Sequence, residues 1–265
     1  MKGIIYMKLI INQILEYIQE NIFLLNLKVE DIAEHFGYDK YYFSSEFKKI
    51  TGFSLNEYIS SLRSAKAIDL INEKGSVIDI QTSVGYSSSG TFSNVFKKYT
   101  GSSPQQYKNE MDYIYNAVKT FEESENNKVE YYQDISESYC NVDVEVPDNL
   151  KNGIIFIGLF HTPIPNHKPI SGLVTKKNKN NKLKNIPRGN YYLLVCAINS
   201  TDGLLSYFNL KNCLRGRVEE KLSFPDDTKN EYMVRLRPPI PEDPPILINL
   251  AKLLVSSLRK NHNVE

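Results

Sequence analysis

The sequence has no tryptophan and only three cysteines, Cys140, Cys196 and Cys213, in 265 residues. The cysteines are odd in number and widely spaced, which argues against a disulfide framework or a zinc site and indicates a reducing compartment. No apolar run approaches the ~18 residues of a membrane span. Polar residues follow the apolar start at once and no small-residue cleavage site appears, so we expect a cytoplasmic protein without an export signal or membrane contact.

The chain also lacks a large excess of either sign of charge, because its formal net charge is +1. Residues 1–110 contain 12 Lys and Arg against 12 Asp and Glu, and are therefore neutral as a whole. Any interaction with nucleic acid must rest on local charge and on a motif rather than on the isoelectric point.

The motifs that mark the common enzyme classes are absent. The chain has no nucleophile elbow, P-loop, dinucleotide-binding glycine motif or clear pair of acids. His161 and His167 flank a proline-rich loop without an evident third metal ligand, and we interpret this segment as a solvated loop. The sequence therefore predicts a protein that is not an enzyme and that needs no cofactor or metal.

The sequence pattern changes from one typical of helices to one typical of strands near residue 115, which predicts two domains. Residues 8–110 are rich in helix formers, contain one proline and place glycines at segment ends, so we expect an all-α domain. Residues 139–265 carry alternating and β-branched runs between Pro, Gly and Asn clusters, which predicts an all-β domain, a sandwich, with a short C-terminal helix. Residues 111–138 between them are interpreted as an acidic linker, since residues 111–145 hold nine acidic and two basic residues.

The strongest strand signals lie in four runs of the second half. The four runs are 140–146, 154–160, 191–198 and 231–237.

The final segment contains leucines at helical spacing, Leu247, Leu250, Leu254 and Leu258. We expect this leucine stripe to pack on the core of the domain, with a dimer contact as the alternative.

The first 110 residues contain an internal sequence repeat. Residues 29–58 align with residues 77–107, with one extra residue in the second copy, and 14 of 30 positions are identical. Each copy contains Gly-Tyr, at 37–38 and 85–86, and further on Phe-Lys-Lys-x-Thr-Gly, at 47–52 and 96–101. Two copies are too few for a solenoid, which needs three or more.

Each copy predicts a short helix, a glycine turn and a second helix. The second helices place Phe43 with Phe47, and Phe92 with Phe96, on one buried face at a spacing of four residues. Their opposite faces are short, polar and finally basic, which suits base edges better than bulk water. This is the plan of a helix-turn-helix, whose second helix enters the DNA major groove. The alternative is a duplicated helical bundle without a DNA-binding role.

Residues 55–74 join the copies without a helix breaker. A helix of twenty residues spans roughly 30 Å, close to the ~34 Å of one turn of B-DNA. One monomer could therefore place two reading helices in successive major grooves. Candidate phosphate contacts that would set the register are Lys40, Lys48, Lys49, Arg63, Lys97 and Lys98, with Lys66 as a further candidate.

The second copy, "GYSSSGTFSNVFKKYTGSSPQQYK" (85–108), resembles the signature of AraC-type transcription regulators, and "LRSAKAIDLI" (62–71) resembles the linker helix of that family. The resemblance covers residues 8–108 and implies a double helix-turn-helix domain that binds promoter DNA. It further implies that the base-facing positions are Tyr41, Ser44, Ser45, Ser89, Gly90, Thr91, Ser93 and Asn94.

Three features depart from the family pattern. Ser45 and Asn94 stand where members often carry arginine, which weakens the case for strong guanine readout. Gln81 stands where a small alanine usually lets two helices pack closely, whereas its counterpart Ala33 follows the pattern. Most members place this domain last and here it comes first, so the resemblance implies that residues 115–265 hold the sensing or regulatory part.

The second domain loosely resembles transthyretin-like β-sandwich modules, because "LKNIPRGNYYLLVCAI" (183–198) has a Pro-x-Gly turn that leads into an apolar strand. The basic segment 176–182 is expected to be a hairpin tip that keeps the domain soluble, with a contact to DNA as the alternative.

Two functions follow from these patterns. The first is a sequence-specific transcription regulator that binds double-stranded promoter DNA and whose β-domain senses a small-molecule or protein effector, with RNA polymerase and a second copy as further candidate partners. The second is an interaction protein that binds DNA weakly and without sequence preference and acts through its β-domain on a protein partner.

Overall fold

Helices form the first part of the chain in the computed structural model. The structure describes residues 7–25, 27–73, 76–123, 128–148, 150, 153–166, 169–199, 210–240, 242–248 and 253. The helices are α1 (Ile11–Asn21), α2 (Val29–His35), α3 (Lys40–Thr51), α4 (Leu55–Asn72), α5 (Val77–Ser83), α6 (Ser89–Thr100) and α7 (Pro104–Glu123). The predicted helix–turn–helix order is confirmed in both copies, as α2 with α3 and α5 with α6. None of the helices in these ranges combines the length and the apolar character that crossing a bilayer requires.

Both second helices end in the same way. Gly52 and Gly101 follow α3 and α6 with φ angles of 82° and 79°, which an L side chain rarely adopts. The hydroxyl oxygen of Thr51 lies 2.8 Å from the carbonyl oxygen of Phe47, and that of Thr100 lies 2.9 Å from the carbonyl oxygen of Phe96. The repeated Thr-Gly pair therefore closes the helix, as its position in the sequence predicts.

The helices that follow begin in the same way too. Ser54 accepts a hydrogen bond from the backbone N–H of Glu57 while the Glu57 carboxylate accepts one from the backbone N–H of Ser54. Ser103 and Gln106 repeat this reciprocal capping box at the start of α7. Two orphan N–H groups are thus satisfied at each start, which explains why the serine recurs in the repeat.

Nine strands form the second part of the chain in the described ranges. Five of them follow the order β1-β4-β3-β6-β7 in one sheet, which β8 extends by pairing with β6, and the other sheet has the order β5-β2-β9 with β2 and β9 parallel. The strands are β1 (Lys128–Tyr132), β2 (Cys140–Glu145), β3 (Ile154–Phe160), β4 (Ser171–Thr175), β5 (Asn181–Leu183), β6 (Gly189–Ile198), β7 (Leu214–Arg217), β8 (Leu222–Phe224) and β9 (Glu231–Arg235).

One apolar core takes side chains from both sheets. Val142 and Val144 of β2 share it with Ile155 and Ile157 of β3 and with Leu193 of β6. Alternate residues of β2 are buried, as expected for a strand with one covered face. All seven residues of β3 are buried, so this central strand is covered on both faces. The predicted β-rich second half is confirmed, and the sandwich and the transthyretin-like likeness stay predictions.

The predicted domain boundaries need correction. The chain separates into one compact unit that runs to Lys108 and includes Ile240–Leu247, and a second that contains Asn109–Pro239 and resumes at Ile248. Residues 111–138 are not simply a linker, because α7 extends to Glu123 and β1 pairs with β4 along its whole length. Val129, the second residue of β1, is buried, and this contact with a distant strand has no local signature in an acidic stretch.

The basic segment 176–182 is not the tip of a hairpin. It connects β4 in the first sheet to β5 in the second, and the backbone N–H of Asn180 donates to the Asp143 carboxylate at 2.7 Å. The ammonium of Lys182 lies 3.4 Å from the centre of the Tyr139 ring. Except for the buried Leu247, the predicted leucine stripe and C-terminal helix lie outside the described residues.

The two turn glycines offer a matched test of the packing in the second copy. Gly37 and Gly85 both have positive φ, at 73° and 82°. A Cβ at Gly37 would meet nothing within 4 Å, whereas one at Gly85 would lie 2.9 Å from Nη2 of Arg63 and 3.1 Å from the carbonyl oxygen of Ile22.

We expect Gly37→Ala to lower the free energy of unfolding by about 1–2 kcal/mol through backbone strain alone. Gly85→Ala should cost at least about 1 kcal/mol more, because overpacking adds to the same strain. Urea unfolding followed by the circular dichroism of the helices measures both variants. Equal losses would contradict the close packing around Gly85.

Candidate nucleic-acid interface

The buried phenylalanines orient the two second helices. Phe43 and Phe47 of α3 are 0% exposed, and Phe92 and Phe96 of α6 are 1% and 0% exposed. The opposite faces of the two helices therefore point away from the core. We define the reading faces by their predicted contact residues, of which Tyr41, Ser45, Lys48, Lys49, Ser89, Gly90, Thr91, Asn94, Lys97 and Lys98 are exposed, and Lys40, Ser44 and Ser93 are half-buried.

Each reading helix begins at a capping side chain. The Asp39 carboxylate accepts hydrogen bonds from the backbone N–H groups of Tyr41 and Tyr42 at 2.9 and 3.1 Å, and the Ser88 hydroxyl accepts one from that of Thr91 at 3.4 Å. These bonds fix the first turn of each helix. In a helix-turn-helix the N-terminal residues of the second helix contact base edges.

Two predicted contacts of the first copy already have partners within the protein. The Lys40 ammonium donates to the Glu30 carboxylate of α2, and this ion pair raises the pKa of Lys40 and lowers that of Glu30. The Ser44 hydroxyl donates to the carbonyl oxygen of Lys40 at 2.9 Å. The Lys40 ammonium retains further N–H donors and the Ser44 hydroxyl can still accept a hydrogen bond, so these bonds restrain both side chains without excluding a contact with DNA.

The four recurring lysines occupy the last turns of α3 and α6. Lys49 pairs with the buried Glu46 carboxylate at 2.5 Å, and the Lys98 ammonium lies 5.5 Å from the centre of the Tyr99 ring. A cation in the last helical turn also interacts favourably with the negative end of the helix dipole. Both copies thus present a basic end. The beginning of α6 is polar and uncharged, whereas α3 begins with Lys40, which is paired with Glu30.

These basic ends approach the same carboxylate. Burial acts to raise the pKa of Glu57, but its hydrogen bonds from Ser54 and the positive charges of Lys98 and Lys48 prevail and lower it. Glu57 lies in the first turn of α4, the linker helix. The Tyr99 hydroxyl bonds to the backbone of Glu57, and three residues separate the end of α3 from α4. The C-terminal ends of α3 and α6 therefore both lie near the start of α4, so the length of α4 alone does not set the separation of the reading helices.

Helix α6 runs back along the linker helix. Gly85, just before α6, lies against Arg63 in the middle of α4, and the Tyr99 hydroxyl near the end of α6 donates to the carbonyl oxygen of Glu57 at 3.0 Å. In the first copy the Phe47 ring lies 6.3 Å from the ring of Tyr58. The first turn of α4 thus contacts both reading helices.

Arg63 corrects the predicted set of phosphate contacts. Its side chain is buried, with Nε donating to the carbonyl oxygen of Ile22 at 2.8 Å and Nη2 to that of Leu24 at 3.0 Å. Its guanidinium also lies 5.2 Å from the centre of the Tyr86 ring, and burial lowers its pKa. The guanidinium therefore ties α1 to α4 and to the turn before α6, and is not available to a phosphate.

Gln81 shows how the second copy accommodates a larger residue at its turn. Ala33 in the first copy is 1% exposed, whereas Gln81 is half-buried and its side-chain amide donates to the carbonyl oxygen of Tyr86 at 3.2 Å. The longer side chain thus bonds to the turn that it would otherwise crowd.

The sequence did not reveal the acidic partners of the reading faces. Glu46 could have been found, since it precedes Lys49 by three residues on one helix. Glu30 had no such signal, because it lies on a different helix from Lys40, ten residues away.

Two helix-turn-helix units that share one linker helix define a DNA-binding protein of the helix-turn-helix class. Residues 32–110 match the family described as "Helix-turn-helix domain". The chain belongs to the AraC-type transcriptional regulators, a family of DNA-binding proteins, as its similarity to AarP shows.

The HTH-type transcriptional activator AarP of Providencia stuartii is 38% identical over 100 residues, which cover 37% of this chain and 73% of AarP. The Msm operon regulatory protein of Streptococcus mutans is 38% identical over 87 residues, and this chain spans only 31% of its length. The C-terminal domain of AraT, a response regulator from Geobacillus stearothermophilus, is 31% identical with a TM-score of 0.37, over 38% of this chain and 84% of that domain.

We expect Arg63→Ala to lower the free energy of unfolding by about 3 kcal/mol, because buried carbonyl oxygens lose hydrogen bonds from a charged donor. Lys97→Ala is the matched control, since Lys97 is exposed and its loss should change stability by less than about 0.5 kcal/mol. Urea unfolding of both variants measures this difference. If the Arg63→Ala protein had normal stability but reduced DNA affinity, Arg63 would instead be a phosphate contact.

Proposed function

We propose that this protein is a sequence-specific transcription regulator in which one monomer inserts α3 and α6 into successive major grooves of promoter DNA. The observation that carries the proposal is the equivalence of the two reading faces. Each face lies opposite a buried phenylalanine pair, begins at a capped first turn and ends in two lysines. Acting on promoter DNA places the protein in the cytoplasm.

The contacts divide along each helix. We assign the first two turns, with Tyr41, Ser45, Thr91 and Asn94 among them, to base edges, since these residues are exposed in the N-terminal half of their helices. We assign the last turns, with their exposed lysine pairs, to phosphates, which fix the register of the protein on the duplex but carry no sequence information.

The β-domain is assigned a regulatory role, as the sensor of a small molecule or a protein partner. Support comes from its separate apolar core, shared by two sheets, which allows it to respond to a ligand as a unit of its own. A thermal-shift screen of the full chain against metabolites tests this role, and a ligand that also changes DNA affinity would identify the effector.

A second function is favoured by the ion pairs that two lysines of the first reading helix form, one with α2 and one within α3. Lys40 and Lys49 are each held by a carboxylate, which reduces the positive charge offered to DNA. A protein with weak DNA binding and no sequence preference, acting through its β-domain on a protein partner, would be consistent with this. Selection of bound duplexes from a random pool separates the two functions, since only the first predicts an enriched motif.

The groove assignment predicts a strict dependence on the spacing of the two half-sites. Inserting about five base pairs rotates one half-site by about half a turn relative to the other. We expect such a duplex to bind at least about tenfold more weakly in a mobility-shift titration. Inserting a full turn of DNA restores the facing of the half-sites but not their distance, so it should not restore binding of one monomer. Affinity that does not change with spacing would show that one helix alone binds.

Lys97→Ala should weaken binding to all duplexes alike and reduce the slope of log K against log salt by about 1, because one phosphate contact is lost. Lys119→Ala removes an equally exposed lysine from α7 in the second unit and serves as the control. Fluorescence anisotropy at several salt concentrations measures both slopes. Equal slopes in the two variants would contradict a phosphate contact at Lys97.

A further inference from the structure

The base-facing turns of both reading helices contain almost no positive charge. Arg63 is the only arginine in residues 1–110, and its buried guanidinium bonds to two backbone carbonyl groups. Lys40 is the only lysine in the first turns, and it is paired with Glu30. The remaining lysines lie in the last turns, which the proposed function assigns to phosphates.

What these turns do expose is two tyrosine rings, of which Tyr41 is more exposed than Tyr42, and several small polar groups. The Tyr41 side chain is 79% exposed, and Thr91 and Asn94 are exposed on the second helix. Within the described ranges, the Asn94 amide and the Thr91 hydroxyl make no hydrogen bond to the protein, so both are available to a ligand.

These groups have defined preferences in the major groove. Guanine is recognised chiefly through O6 and N7 by arginine or lysine, adenine through N6 and N7 by the side-chain amide of asparagine or glutamine, and thymine through apolar contact with its methyl group. The amide of Asn94 suits adenine, whereas the Tyr41 ring and the Thr91 methyl suit thymine. Serine hydroxyls bond to several bases and do not alter this balance.

Resting on the proposed function, we infer that both reading helices recognise A·T base pairs. Asn94 forms a bidentate contact with an adenine in the second half-site, and Tyr41 and Thr91 contact thymine methyl groups in the first and second half-sites. The class of operator is therefore a duplex whose two contacted half-sites are rich in A·T, separated by about one helical turn.

The first test is selection of bound duplexes from a random pool with the full-length protein, followed by atom replacement in the enriched motif. 7-Deazaadenine removes the N7 acceptor that a bidentate asparagine requires. We expect this replacement at one adenine of the second half-site to weaken binding at least about fivefold to tenfold. 7-Deazaguanine at any guanine of the motif should leave affinity unchanged.

The Asn94→Ala variant makes this test specific to one residue. Its side chain is exposed, so the variant should fold, and it should bind the normal and the 7-deazaadenine duplex equally. The Asn94→Arg variant should select a motif with a new guanine in the second half-site. Asn12→Arg, which adds the same charge at an exposed position of α1, is the control and should select the original motif.

The outcomes separate this inference from the function on which it rests. A pool without any enriched motif would overturn the proposed function and the inference with it. An enriched motif that loses affinity on 7-deazaguanine replacement, or one in which 7-deazaadenine affects the normal protein and Asn94→Ala equally, would overturn the inference alone.

Discussion

The buried guanidinium of Arg63 is the interaction on which the arrangement of the helical unit depends. A charged group that leaves water needs a full set of hydrogen bonds, and the carbonyl groups just beyond the end of a helix lack donors. The planar fork of Arg63 meets both needs at once through Ile22 and Leu24. Because the same group lies against Gly85 and Tyr86, the positions of α1, α4 and the second helix-turn-helix are fixed together.

The two copies share their local structure and differ in what surrounds them. The Thr-Gly closure and the reciprocal capping box recur almost unchanged, since each involves residues at most four apart. Away from these helix ends the copies differ. Where the first copy has Ala33 the second has the longer Gln81, whose side-chain amide donates to the carbonyl oxygen of Tyr86 in the following turn. Duplication has thus preserved the frame of the reading helix while its contacts with the rest of the unit have diverged.

A neutral domain can still present two basic ends to DNA, because its acids are placed to hold its lysines. Glu46 pairs with Lys49, and Glu57 lies close enough to Lys48 and Lys98 for their charges to lower its pKa. The Glu46 carboxylate thus positions the Lys49 ammonium at the end of α3, while Lys48, Lys97 and Lys98 are exposed. In the proposed interface, discrimination between sequences therefore falls to the N-terminal halves of α3 and α6, and the lysines of the last turns set the register.

The sequence by itself determined the repeat, the helices of both copies, their caps, the buried phenylalanine pairs and the four longest strand signals. These features depend on periodicity and on residues within one or two turns of each other, which a linear pattern records. Tertiary structure alone decided that Arg63 is an internal tie rather than a phosphate contact, that Lys40 pairs with Glu30, and that β1 forms within an acidic stretch. The physical reason is that each of these outcomes depends on a partner from a different element, and burial, charge pairing and strand register are properties of the pair that neither segment carries alone.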